Sequence, residues 1–352
     1  MKTGDYDDLT IVPASPVPEE PKFLPTAITP ENCPSEFAPV KWILDQFLPG
    51  GVLGGFVAEG GTGKSWSLLE IAFCAAYGFA FLRPERKGQR DIYKVVYFNG
   101  EDSNETIQRR LRELLNKYGE VEGGNLKIYP MAGRSNKRFT SPDVIENYLK
   151  EIPEGTDLVI FDPASQFFMD DAEEKNTVMG QFIDYMTKIR EHLGPDATVL
   201  LSHHMSKAGS ASGSGVAQTA RGSSAFTDGL RWVATMTPYR PKDKLVRVKV
   251  AHWDTSNFEY PPLIRLLNAK NNNHAVFRPM DIYQGRGGTF RFAEDGEEIC
   301  GEITPLNLTC DGCEPTQYPE IPSTKGKRTV EKKNEPEKKE STDNSRQSRV
   351  KV

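Results

Sequence analysis

The chain has 352 residues, 37% of them hydrophobic and 26% charged, with a formal net charge of −5. That length allows one large domain or two small ones. No run of about 18 apolar residues occurs and the N-terminus has no signal-peptide core, so a cytosolic protein without membrane attachment is expected, and the acidic balance speaks against a broad nucleic-acid-binding face.

The charge is unevenly placed. Residues 323–352 carry ten Lys and Arg against five Asp and Glu, which leaves the rest of the chain at −10. That tail is nearly devoid of apolar residues, and residues 1–30 are rich in Pro and acidic groups without helical or strand period. Both compositions are those of disordered segments. The expected organisation is a disordered or extended stretch over 1–34, one α/β domain over 35–320 and a disordered basic tail over 321–352. Five cysteines, an odd number, suit reduced thiols. Cys310-x-x-Cys313 with Cys300 offers three zinc ligands, but no second CxxC and no well-spaced His completes a tetrahedral site.

In chain order, residues 36–51 read as a short helix ending at Pro49-Gly50-Gly51. Val52 to Val57 is an apolar strand that runs into Ala58-Glu59-Gly60-Gly61-Thr62-Gly63-Lys64-Ser65, and a helical pattern opens at Trp66. Strand, glycine-rich turn and helix together make a P-loop. Its backbone N–H groups and the helix N-terminus would cradle phosphates, so Ala58 through Trp66 are the candidate nucleotide-binding residues. Lys64 would reach the β- and γ-phosphates of ATP, and the Ser65 hydroxyl would ligate Mg2+. Ala58 stands where the plain pattern has Gly, and it is small enough for the turn.

Residues 78–89 read as a basic, turn-rich loop, followed by a strand over Lys94–Phe98 and a charged helix from about Ser103. Between them Glu101 and Asp102 sit at the edge where open α/β sheets bind ligands. Glu101 suits a base that polarises an attacking water; Asp102 suits capping of the next helix. A strand over Asn125–Met131 and a helix over Ser141–Lys150, with Ser141 as N-cap and Pro142 in its first turn, come next.

Asp157-Leu-Val-Ile-Phe-Asp162 has the Walker B form, with Asp162 placed to hold the Mg2+ shell through water. A helix over Asn176–Leu193 precedes the strand Thr198–His204. Of its paired histidines one is expected to face the site, taken as His203, and the other to pack. Residues 205–220 are Gly/Ser/Ala-rich, with Lys207 the sole charge, and read as a functional loop. Arg221 opens a helical stretch and reads either as a surface residue or as an arginine finger. A strand over Arg231–Met236 and short alternating strands at Leu245–Ala251, Leu263–Leu267 and Ala275–Pro279 make an antiparallel addition to a mainly parallel sheet.

AEGGTGKS, NGEDS, VIFDP, LSHH and ARGSSAFTDGLRWV in this order, over about residues 37–270, resemble the RecA-type ATPase core and within it the RepA-type hexameric replicative helicases of plasmids and phages. The resemblance implies a RecA-like fold, ATP and Mg2+ as cofactors, single-stranded DNA as partner, and a homo-oligomeric ring. It implies that Glu101 activates water, that Asp162 is the Walker B carboxylate, that His203 and His204 sense the γ-phosphate, and that Arg221 acts in trans on the neighbouring protomer. Residues 205–220, with Lys207, correspond to a DNA-contacting pore loop. The stretch Asp254-Thr255-Ser256-Asn257 departs from the family's Lys-Ser-Asn run, with Thr255 in place of Lys. The alternatives are a filament-forming recombination or repair ATPase and a nucleotide-gated loading factor that does not unwind.

Overall fold

The computed structural model describes residues 27–36, 38–87, 91–168, 175–205, 224–240, 244–250, 259–272, 277–293 and 298–300. Residues up to Pro39 form one unit, in which Thr29 and Asn32 bond to each other around a 3-10 turn over Pro30–Asn32. The described residues from Val40 onward belong to a second unit.

That unit begins with β1 (Trp42–Leu44) and β2 (Leu48–Pro49), paired antiparallel, where a helix over 36–51 is expected. Ile43, Leu44, Phe47 and Leu48 are all buried in one core cluster, and Gln46 takes a positive φ of 53° at the turn. The same four residues would also share one face of a helix, so the apolar pattern suits either form; the turn at Gln46 and the pairing of Trp42 with Pro49 and of Leu44 with Leu48 make it a hairpin.

β3 (Leu53–Ala58) leads into α1 (Lys64–Tyr77). Gly78, in the left-handed region, ends α1 by donating its N–H to the Cys74 carbonyl. The basic stretch after it is a hairpin of β4 (Phe79–Ala80) and β5 (Arg83–Lys87) rather than a loop. β6 (Val95–Asn99), α2 (Asn104–Tyr118), β7 (Leu126–Pro130), α3 (Pro142–Glu151), β8 (Leu158–Asp162), α4 (Asn176–Leu193) and β9 (Thr198–His204) lie where their patterns predict. Ser103 caps α2 by accepting the Thr106 N–H. Ser141 precedes α3 without a side-chain cap bond.

α5 (Ser224–Gly229) and β10 (Trp232–Pro238) follow. β11 (Arg247–Lys249), β12 (Ile264–Asn271), β13 (Met280–Gln284), β14 (Phe290–Phe292) and β15 (Glu298–Cys300) complete the described elements. The strand expected over 275–279 instead begins at Met280, where pairing with β12 starts.

Among the described residues nine strands form one sheet in the order β14-β13-β12-β10-β3-β9-β8-β6-β7. From β10 to β7 all neighbours are parallel, and β12, β13 and β14 extend the sheet beyond β10 in successive antiparallel pairings. β11 and β15 pair with each other outside this sheet. This is the RecA-like α/β core with antiparallel C-terminal strands. β9 lies between the P-loop strand β3 and the Walker B strand β8, so both motifs open on one sheet edge with a strand between them.

Side-chain alternation sorts the sheet's two faces. Val95, Tyr97, Leu158, Ile160 and Leu200 pack with α1 and α2, while Val96, Phe98, Val159, Phe161 and Leu201 pack with α3 and α4. Burial on both faces explains why these strands are continuous apolar runs. Each such side chain contributes about 1.5–3 kcal/mol.

One charged knot ties the first layer together. Glu70 on α1 is fully buried and accepts from Lys117 Nζ at 2.5 Å and from the Tyr118 hydroxyl at 2.6 Å, both on α2. Lys117 also reaches the Phe290 carbonyl on β14 at 2.6 Å. Lys117→Met strands the buried Glu70 carboxylate and is expected to cost about 3–5 kcal/mol. Adding Glu70→Gln, which removes the charge and keeps an acceptor for Tyr118, should recover part of that loss; urea denaturation of the single and double variants measures both.

Candidate active site

The P-loop is built by backbone constraint. Gly61 and Gly63 have φ of 78° and 84°, the left-handed region that glycine enters without penalty. A Cβ on Gly63 would also lie 2.7 Å from the Phe290 ring. Thr62 closes the loop by bonding through both its N–H and its hydroxyl to the Glu59 carbonyl, at 3.3 and 2.7 Å. α1 then starts at Lys64 with no side-chain cap and no acidic residue in its first turn. Its leading N–H groups and positive end suit an anion.

Lys64 and Asp162 meet at the centre of the site. The Lys64 ammonium lies 2.7 Å from Asp162 Oδ1 and 2.8 Å from the Ser202 hydroxyl, which itself donates to the same oxygen at 2.5 Å. The Tyr97 hydroxyl donates to Asp162 Oδ2 at 2.6 Å. Asp162 is fully buried and Lys64 only 7% exposed. Burial alone would raise the Asp162 pKa, but the Lys64 charge and the bonds from Lys64, Ser202 and Tyr97 hold it down at about 2. Burial, and then the Asp162 charge, push the Tyr97 phenol well above its ordinary value, so it remains a neutral donor.

Glu101 stands at the end of β6, exposed, on a turn built by Asn99. The Asn99 side-chain amide oxygen, Oδ1, accepts the N–H groups of Glu101 and Asp102 at 3.2 and 2.7 Å. Gln166 donates to Glu101 Oε1 at 3.4 Å. Asp102 does not cap α2; its carboxylate is gripped by both guanidinium nitrogens of Arg110 at 2.7 and 2.9 Å, and Ser103 supplies the cap.

The histidines divide the other way from expectation. His203 is buried in the layer opposite Lys64, against Phe168 and Phe226, with ring centroids at 5.5 and 4.7 Å. Alternation along β9 places His204 on the same face as Ser202, beside the P-loop strand. The Met205 N–H then bonds the Ala58 carbonyl at 2.8 Å, which ties Met205, just beyond β9, to the end of the P-loop strand. Lys207 and Arg221, like the 254–257 stretch and Cys310 and Cys313, lie outside the described residues.

Trp66 offers the site its backbone; its indole is covered by the Arg110 guanidinium at 5.5 Å and by Gly288. Ser65 is half-buried in the first turn of α1. Several partners were not foreseen from the sequence: Tyr97, Ser202, Asn99 and Arg240. Arg240, just beyond β10, grips the Glu59 carboxylate through two bonds at 2.8 and 2.9 Å and neutralises a charge that would repel phosphate. Ser202 had a signal, since it precedes the histidine pair at the tip of an apolar strand. Arg240 had none, because it lies 181 residues from its partner.

The donor set fits Mg2+. Ser65 and Asp162 supply the hard oxygens this ion takes, and Asp162 Oδ2 has one hydrogen-bond donor for its two lone pairs. Among the described residues no group of three or more His, Cys, Asp or Glu could enclose a metal.

Fold and site together define a RecA-like P-loop ATPase. The AAA-domain family matches residues 18–210, more than half of the chain, and the chain belongs to that family. Among solved structures the chain is similar to the KaiC-like protein PH0186 of the hyperthermophilic archaeon Pyrococcus horikoshii OT3, at 14% identity and a TM-score of 0.42 over 72% of this chain and 99% of that one. Among the described residues no helix is long and apolar enough to cross a membrane.

Asp162 has a lowered folded-state pKa, so its contribution to stability is complete above the unfolded value near 4 and is lost as pH falls toward 2. Wild type is expected to lose on the order of 2 kcal/mol across that window. Asp162→Asn should not show that loss, as followed by denaturant unfolding at stepped pH.

Proposed function

We propose that the chain is the motor subunit of a ring-forming DNA helicase of the RepA type, which hydrolyses ATP with Mg2+ to translocate on single-stranded DNA in plasmid or phage replication. The observation that carries this reading is the convergence on one sheet edge of Lys64, Asp162, Ser202, the Glu101 turn and His204. The order of the sequence motifs and membership of the AAA-domain family support it.

In this reading the α1 N-terminus and Lys64 take the phosphates, and Lys64 leaves Asp162 as they arrive. When bound, Mg2+ would neutralise charge on the phosphate oxygens. Glu101 polarises the attacking water and accepts its proton. His204 faces the site as the γ-phosphate sensor, while buried His203 is the packed member of the pair. The Met205–Ala58 bond makes the next segment responsive to the P-loop, and that segment, with Lys207, touches the strand. Arg221 completes the site from the adjacent protomer. A donated arginine requires a heterologous contact, which closes into a ring, here a hexamer, when its rotation closes. Residues 35–320 would form the motor domain, flanked by the segments 1–34 and 321–352, in a cytoplasmic protein.

The test is ATP turnover with and without oligo-dT. Stimulation by DNA is expected in wild type. Lys64→Ala should abolish nucleotide binding, whereas Glu101→Gln should bind nucleotide normally and lose about 10²–10⁴-fold in kcat. Turnover that ignores DNA would leave only a Mg-ATPase core; DNA-stimulated turnover without strand displacement would favour the loading-factor alternative.

A further inference from the structure

The same sheet edge carries a second hollow. Beside the ends of β6 and β7 a groove of about 620 Å³ is lined by Tyr129, Tyr148 and the cations Arg134, Arg138 and Lys150, against the single carboxylate of Glu151. Local positive charge is notable in a chain whose residues outside 323–352 sum to −10. Tyr129 is half-buried and stacked on Phe98, with centroids 5.3 Å apart and planes at 22°. A supported aromatic ring among cations is the surface that a single strand recognises, with phosphates on the charges and a base on the ring.

The groove is joined to the proposed catalytic turn. Between Arg134 and Arg138 the chain makes a 3-10 turn over Ser135–Lys137 and sends Lys137 inward. Lys137 is 6% exposed, and its ammonium donates to the Gly100 carbonyl at 2.8 Å, one residue before Glu101. The Tyr148 hydroxyl, from α3, donates to the Lys137 carbonyl at 2.8 Å. Phe139 N–H bonds the Phe167 carbonyl next to Gln166, the residue that contacts Glu101. A displacement of the 134–138 turn is therefore passed to the Glu101 turn through buried contacts.

We propose that this groove is a contact site for single-stranded DNA, separate from the Lys207 segment, and that Lys137 is the positioning residue through which its occupancy reaches Glu101. The inference rests on the DNA-motor reading. It assigns part of the DNA stimulation of turnover to the β7–α3 connection.

The experiment uses the full chain with a non-hydrolysable ATP analogue and fluorescein-labelled oligo-dT, and reads anisotropy as a function of salt. Each phosphate contact to a single strand contributes about 0.7 to the slope of log affinity against log salt. The double variant Arg134→Ala, Arg138→Ala is expected to reduce that slope by about 1.4. An unchanged slope overturns the groove as a DNA site and leaves an acidic peptide as its alternative occupant.

Lys137→Met is expected to keep the wild-type slope and half-saturating DNA concentration but to lose the rise in kcat at saturating DNA. Full stimulation in this variant overturns the relay. If it fails to melt cooperatively, Lys137→Gln is used with the same expectation and the same overturning result. Wild type that ignores DNA sinks the motor reading, and this inference with it; wild type that responds, with groove variants that respond alike, sinks this inference alone.

Discussion

A lysine and an aspartate buried against each other hold the site together: Lys64, the first residue of α1, and Asp162, the last of β8. Removing two charges from water is costly, and their attraction offsets that cost only when the remaining hydrogen-bonding capacity is also met. Here Ser202 and Tyr97 meet it, one on the same carboxylate oxygen as Lys64 and one on the other. The pair needs β3, β8 and β9 in one register, with side chains on the α1 face. The parallel strand order supplies both conditions.

The same contact sets the condition for function. In the proposed function, a lysine already satisfied by a carboxylate and a hydroxyl would be released only to a ligand carrying comparable negative charge, such as a triphosphate. Asp162, held ionised against its burial by the Lys64 charge and the bonds from Lys64, Ser202 and Tyr97, would then be available to a cation's hydration shell. Glu101 is built differently: exposed, on a turn organised by Asn99 from within and by Lys137 from behind. The reading separates a rigid phosphate-binding centre from a water-activating group whose backbone can be adjusted.

Much of this was legible in the sequence. Parallel strands buried on both faces are continuous apolar runs, so β3, β6, β8 and β9 declared themselves, and the P-loop and Walker B carboxylate followed from what terminates two of those runs. Other features depend on contacts that sequence spacing does not encode. The 36–51 stretch has an apolar pattern compatible with a helix, yet the chain turns back at Gln46 and pairs Trp42 with Pro49 as a hairpin. Which histidine faces the P-loop depends on strand parity relative to Asp162, and parity is set by the face α1 occupies. Arg240 with Glu59, Lys117 with Glu70 and Lys137 with Gly100 are pairings between distant segments, 181, 47 and 37 residues apart. Nothing in the local composition of either partner announces them.

The central claim is a motor whose sites are completed between protomers, and subunit mixing tests it most directly. Arg221→Ala protein is titrated into wild type at constant total concentration, and DNA-stimulated ATP turnover is followed. The account requires turnover to fall more steeply than the wild-type fraction, because each variant subunit disables its neighbour's site and interrupts the ring. A fall strictly proportional to the wild-type fraction, or an Arg221→Ala protein that turns over normally by itself, would contradict it.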